Sequence, residues 1–217
     1  MNTNITVKLP ENRGLPENGE VFYPTDERKK MGETDFHYQQ IELMFQMLRL
    51  FFESRKDVYF ASDIMFYYEE GNANKRFAPD LMVCFGISNK KRRSYKLWEE
   101  KVMPSVIIEV ASEATWEKDV TTKRRLFEKL GVVEYYVIDP EYKYLPQPML
   151  AYRLEFGELV RLSVQNNRVF SEVLNLEIVN TGEDFRFFDV EKDEFIPTVS
   201  EITSLKAEIE RLKKLIK

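Results

Sequence analysis

"SVIIEVASEATWEKDVTTKRRLFEKLGVVEYYVIDP", residues 105–140, decides how this chain folds. Its first run is apolar and β-branched, its middle repeats apolar residues at helical spacing, and its last run is again apolar until Pro140 stops it. Gly131 closes the helix, because a left-handed C-terminal residue without a Cβ carries no steric penalty. Strand, helix and strand joined by a crossover of this length give a parallel pair with a right-handed connection. The sheet is therefore expected to be mixed and at least partly covered by helices.

Along the first strand Val106, Ile108 and Val110 face one way, and Ile107, Glu109 and Ala111 the other. Glu109 thus ends an otherwise apolar strand, where an unpaired carboxylate needs a cation, a proton or a set of donors. A second acid stands upstream in "PDLMVCF", residues 79–85, where Asp80 precedes a run that reads as a buried strand. If the two strands are antiparallel neighbours, the start of one lies beside the end of the other, and Asp80 meets Glu109. Two converging carboxylates without an evident arginine suit a hard divalent ion such as Mg²⁺ or Mn²⁺. The plainer alternative is that Asp80 caps a turn and Glu109 pairs with a surface lysine.

The helix adds a third group. Trp116, Val120, Phe127 and Leu130 form an apolar seam, and the position completing it is Lys123. This places an ammonium on the inward face near Glu109, although a lysine stem covering apolar surface would use the same position. Asp119, one turn earlier, can pair with or orient that lysine. Two acids, a metal ion and a lysine form a coherent set for phosphodiester hydrolysis.

The order "APD" at 78–80, "IIEVAS" at 107–112, Thr115, Asp119, Lys123 and "LGVVEYYVIDP" at 130–140 resembles the Uma-two family of restriction-type endonucleases in the PD-(D/E)XK nuclease superfamily. "DVYFASDIMFYYEEGN" and "RRSYKLWEE" resemble the flanking segments, so the likeness spans roughly residues 34–180. It implies an α/β fold with a restriction-endonuclease-like core, its mixed central β-sheet flanked by helices, and Mg²⁺-dependent DNA cleavage. It also implies Asp80 and Glu109 as metal ligands, with the backbone carbonyl of Val110 as another, and Lys123 as the catalytic lysine. The superfamily's lysine two residues after the glutamate is absent, since Ala111 stands there. Glu42 on the first helix is a possible supporting acid by the same likeness.

Elsewhere the chain is less explicit. Residues 1–33 read as an extended arm punctuated by Pro and Gly, residues 34–198 as the nuclease-like domain, and residues 199–217 as a short coiled-coil-like helix. "TDFHYQQIELMFQMLRLFFESR" gives an amphipathic helix from Thr34 or Asp35. "VYFAS" and "IMFYY" read as strands, and "MLAYRLEF", "RLSVQ", "EVLNLEIV" and "FRFFDV" as additional C-terminal strands. Ile202, Leu205, Ile209, Leu212 and Ile216 follow steps of three and four, which suits either self-association or docking on the chain's own domain.

The 217 residues are 43% hydrophobic, enough for a large core, and carry a net charge of −5. A nonspecific cationic coat is excluded; basic residues are instead grouped. Lys90, Lys91, Arg92 and Arg93 in "NKKRRSYK", and Arg124 in "TKRR", are the candidate nucleic-acid contacts, Arg92 or Arg93 having the chemistry to read guanine. The single cysteine, Cys84, sits in an apolar run and reads as a buried hydrophobe. One histidine, His37, rules out most His-based zinc sites and reads as structural near a helix start. No apolar stretch approaches membrane-spanning length, so a cytoplasmic protein is expected. These readings converge on a DNA endonuclease acting as a homodimer; the rival is a nuclease-fold module that binds nucleic acid or protein without turnover.

Overall fold

The computed structural model describes residues 34–215 together with Val21 and Tyr23. The N-terminal arm otherwise lies outside the described residues. In chain order the elements are α1 (Asp35–Phe51), β1 (Val58–Ala61), β2 (Phe66–Tyr67), β3 (Arg76–Phe77), β4 (Leu81–Phe85), β5 (Tyr95–Lys96), α2 (Leu97–Glu100) and β6 (Val106–Val110). A helix follows in three parts: α3 (Trp116–Lys118), a π-helical turn over Asp119–Lys123, and α4 (Arg124–Leu130). Then come β7 (Glu134–Ile138), β8 (Met149–Glu155), β9 (Glu158–Arg161), β10 (Arg168–Ser171), β11 (Leu176–Asn180), β12 (Phe185–Asp189), β13 (Glu194–Phe195) and α5 (Val199–Leu215).

The central sheet has six strands in the order β1-β4-β6-β7-β8-β9. It is mixed: β6 and β7 run parallel, and every other neighbouring pair is antiparallel. The crossover of residues 105–140 therefore forms the parallel pair its pattern predicts. Both faces are covered, which is why β6 and β7 are buried along their whole length. On one face Val106, Ile108 and Val110 pack with α1 and the four-stranded sheet β10-β11-β12-β13. On the other, Ile107 and Ala111 pack with the 116–130 helix and the small sheet β3-β2-β5.

α1 begins where the Thr34 hydroxyl accepts the His37 N–H at 3.3 Å. His37, Ile41, Met44 and Leu48 recur every three to four residues and form its buried stripe. Gln40 ties the helix to β12 by donating to the Phe185 carbonyl and accepting the Phe185 N–H, both at 2.9 Å. Gly131 closes α4 at φ 82°, and its N–H bonds to the Glu128 carbonyl.

Some boundaries differ from the sequence pattern. "IMFYY" keeps only Phe66–Tyr67 as strand, and "RLSVQ" contributes Arg161 to β9 and one isolated bridge at Gln165. Two-residue strands at the rim of a domain depend on the neighbours that pair with them, so local propensity does not mark their ends. Among the described residues no helix is long and apolar enough to cross a membrane.

Candidate active site

The register of β4 against β6 pairs Leu81 with Ile108, so one further step sets Asp80 opposite Glu109. The two residues lock each other through the backbone: the Asp80 N–H donates to Glu109 Oε2 at 3.3 Å, and the Val110 N–H donates to Asp80 Oδ2 at 2.8 Å. Lys123 Nζ lies 3.0 Å from Glu109 Oε2 and 2.8 Å from Asp119 Oδ1. Asp80, Glu109, Asp119 and Lys123 therefore form one cluster at the ends of the inner strands β4 and β6.

The π-helical turn positions the last two. A π turn inserts an extra residue into a helix, and such insertions recur at functional sites. Here it turns both Asp119 and Lys123 toward the sheet, while the Tyr135 hydroxyl donates to the Asp119 carbonyl at 2.9 Å and holds the turn down. Asp119 and Glu109 are fully buried, whereas Lys123 keeps 22% of its side chain exposed.

His37 is the site residue that the sequence pattern left aside. Its Nε2 lies 3.3 Å from Asp80 Oδ2, with the imidazole 5% exposed. The available signal was spacing: His37 stands four residues before Ile41 and extends the buried stripe of α1 by one turn. Glu42, the first-helix acid, is exposed instead and accepts a hydrogen bond from Gln46 at 3.0 Å. Helical rotation explains the exchange, since residues 37 and 41 share a face from which residue 42 is turned by about 100°.

Electrostatics mark the cluster as charge-deficient. Burial raises the Glu109 carboxyl well above the usual range, with the Asp80 and Asp119 charges adding to the effect and Lys123 opposing it. Burial also raises Asp119 against the pull of Lys123. Burial pushes Asp80 up too, but the His37 hydrogen bond and the His37 and Lys123 charges outweigh it and leave its carboxyl below the usual value. Burial would lower the Lys123 ammonium, yet Glu109, Asp119 and Asp80 together raise it. A bound divalent cation would favour the ionised form of Glu109 and Asp119 that burial disfavours.

Orphaned oxygens support such a fit. Glu109 Oε1 is buried with no hydrogen-bond partner, and so is Asp119 Oδ2 in the same cluster. An oxygen in that state suits a hard cation that takes carboxylate ligands and keeps water. Among the described residues no group of three or more His, Cys, Asp or Glu side chains is arranged to hold a metal ion. Asp80 and Glu109 could hold one only with backbone and water completing the shell.

A cleft of about 740 Å³ runs between the C-terminal half of α1, β1 and the 89–93 loop, and none of the cluster's side chains lines it. Arg49, Arg55, Lys90, Lys91 and Arg93 line it with exposed basic groups, next to Phe45 and Phe60. Ser62 and Asp63 are among its lining residues, and the Asp63 N–H donates to the Pro79 carbonyl at 2.9 Å, one residue from Asp80. Arg92 is different from its loop neighbours. It is 4% exposed, bonds Glu100 at 2.7 and 2.9 Å, donates to the Ser88 and Lys90 carbonyls, and stacks 4.2 Å above the Tyr59 ring. Its fork holds the loop and has no reach left for a base edge. Arg124 turns to the Tyr152 ring, 5.4 Å away.

A mixed sheet covered on both faces, carrying an acid pair at the ends of two inner strands and a lysine from the crossover helix, defines a restriction-endonuclease-like α/β protein. Residues 23–180 match the model of the Uma2 family, described as "Putative restriction endonuclease", and the chain belongs to that family. Among solved structures, one described as a putative nuclease belonging to DUF820, from Anabaena variabilis, is similar with a TM-score of 0.50 at 14% identity. The likeness covers 67% of this chain and 77% of that one, and at this identity it shows a shared fold. Among curated proteins none matches the chain.

Proposed function

We propose that this chain is a cytoplasmic, divalent-metal-dependent endonuclease that hydrolyses DNA phosphodiester bonds at the Asp80–Glu109–Lys123 cluster. The observation that carries this reading is the pairing of Glu109 and Asp80 across β4 and β6, with Glu109 Oε1 left without a partner. Asp80, Glu109 and the Val110 carbonyl would hold Mg²⁺ or Mn²⁺. When bound, the ion draws charge from the scissile phosphate and lowers the pKa of a coordinated water.

The remaining work falls to the chain. Lys123 places a fixed positive charge where negative charge grows on the phosphate as water adds to phosphorus and the bond to the leaving sugar oxygen breaks. Asp119 orients that ammonium from one turn away, and His37 fixes the rotamer of Asp80. The helix position of the lysine offsets Ala111 on the strand, because Lys123 already lies 3.0 Å from the glutamate it must serve. The basic cleft that includes Asp63 is suited to lead a phosphate backbone toward Asp80, with Lys90, Lys91 and Arg93 as contacts. Cleaving both strands calls for two sites, which a homodimer supplies.

Cleavage of plasmid DNA with Mg²⁺ or Mn²⁺, blocked by EDTA, tests the reaction, and calorimetric titration of metal into wild type and Asp80→Ala tests the site. Metal binding that persists in Asp80→Ala and Glu109→Ala would refute the assignment of ligands. The rival reading, a module that binds without turnover, draws on the contacts of Lys123 with both acids, which partly neutralise the pocket. It predicts no cleavage even by the wild type, and DNA binding that survives Asp80→Ala, Glu109→Ala and Lys123→Ala.

A further inference from the structure

α5 is a helix whose apolar seam has no cover. Ile202 in its first turn is half-buried, and the rest of its described length is exposed, with Leu205 at 61%, Ile209 at 51% and Leu212 at 45%. That first turn carries a capping box, in which the Glu201 N–H donates to Thr198 Oγ1 at 3.1 Å and Thr198 N–H to Glu201 Oε2 at 2.8 Å. Arg186 clamps the same glutamate at 3.0 and 2.8 Å. Beyond that turn the helix is exposed, with Ser204, Leu205 and Glu208 facing a cleft shared with Arg186, Phe195 and Pro197 of the body.

Writing the helix as heptads identifies what covers the seam. Ile202 and Ile209 fall at a, and Leu205 and Leu212 at d, the combination that favours two parallel strands. The flanking g positions are Glu201 and Glu208, and the e positions are Lys206 and Lys213. In a parallel pair each g residue meets the e residue five places later on the other helix, giving Glu208 with Lys213, while Glu201 stays with Arg186. In an antiparallel pair g would meet g and e would meet e, setting Glu against Glu and Lys against Lys. The charges thus select one orientation by penalising the other. Within one helix, Glu208 pairs with Arg211 and Lys213 with Glu210 on the surface. Exposed pairs of that kind hold weakly and exchange readily.

We infer that a second copy of this chain covers the seam, through a parallel two-stranded coiled coil formed by α5 of each protomer. The inference specifies the surface of the homodimer proposed above; it rests on that homodimer and on nothing about the chemistry at Asp80. Parallel packing brings both Thr198 caps to one end, so the two catalytic bodies emerge side by side. Two heptads bind modestly, so the dimer is expected to be concentration-dependent.

Sedimentation velocity of the full chain over a concentration series, with cross-linking of a Leu212→Cys variant, tests the inference. Cys84 is buried and free, so it does not compete. Oxidised Leu212→Cys should form a covalent dimer, because d positions face each other at the same level only in the parallel arrangement. Ile209 holds the a position at the middle of the seam, where a charge would be buried against its own copy, so Ile209→Glu should weaken the dimer by about 100-fold or more. Lys213→Glu should weaken it about 5-fold, and adding Glu208→Lys should restore it. A dimer that persists unchanged in Ile209→Glu would overturn the coiled coil and leave the homodimer standing. A chain that stays monomeric at every concentration would overturn both, with the nuclease reading untouched.

Discussion

Two glutamates stand on neighbouring parallel strands, Glu109 on β6 and Glu134 on β7, and both are fully buried. Glu134 is saturated with donors. Its Oε1 accepts from Arg153 Nε at 3.2 Å and the Glu172 N–H at 3.0 Å, and its Oε2 from the Tyr136 hydroxyl at 2.9 Å and the Ser171 hydroxyl. Glu109 has Lys123 and one long backbone bond on Oε2, and nothing on Oε1. Both pay for desolvation, but one recovers it from the fold itself while the other is left short among further acids. A satisfied buried acid fastens a structure; an unsatisfied one beside two more is a place for a ligand. Position agrees, because Glu109 lies toward the C-terminal end of its strand, where open α/β sheets bind ligands, and Glu134 begins its strand at the opposite end.

Replacing each glutamate in turn should remove chemistry in one case and structure in the other. Glu109→Gln should reduce DNA cleavage by about 10³-fold or more while leaving the fold intact, as read by initial rates and circular dichroism. Glu134→Ala leaves Arg153 without its buried partner and should cost about 3–5 kcal/mol, lowering Tm by roughly 10 °C. Cleavage per folded molecule should then be unchanged. If the two variants exchanged these effects, the distinction drawn between the glutamates would be wrong.

His37→Ala sharpens the picture at the next level. Loss of the group that orients Asp80 should weaken metal affinity about 10- to 100-fold, measured by titration calorimetry, with DNA affinity in EDTA unaltered.

The smallest effect is a pH dependence with a defined sign. Burial, Asp80 and Asp119 raise the Glu109 carboxyl well above its usual value of 4.5, so the folded protein keeps a proton that the unfolded chain releases. This contribution to stability is complete below the unfolded value and is lost as pH rises through the folded one. Asp119 acts with the same sign, while Asp80, held below 3.8, loses its contribution only as pH falls through its lowered value. Metal-free Tm should therefore decline from mildly acidic toward alkaline pH, and Mg²⁺ should recover it by mass action. Glu109→Gln should flatten the decline and raise the metal-free Tm at pH 8 by about 2–4 °C.

Much of this site was legible in the chain because it depends on strand order and side-chain alternation. Asp80 at the start of one apolar run and Glu109 at the end of another are brought together by antiparallel pairing alone, and the seam through Phe127 turns Lys123 inward. His37, Glu42 and Arg92 were not legible in the same way. Helical spacing separates buried His37 from exposed Glu42, but nothing local says that His37 meets Asp80 or that Arg92 stacks on Tyr59. Their roles depend on which residues lie across the interface, a quantity that periodicity does not contain.

Taken alone, the order of apolar runs determined the parallel crossover, the mixed sheet and the strand ends at which two acids meet, because hydrophobic period and chain connectivity are local properties. The tertiary structure decided which acid is left unsatisfied, which arginine is locked, how a π turn aims Lys123, and that the seam of α5 lies uncovered. Those outcomes depend on donors and rings contributed by distant segments, so they exist only once the layers have packed.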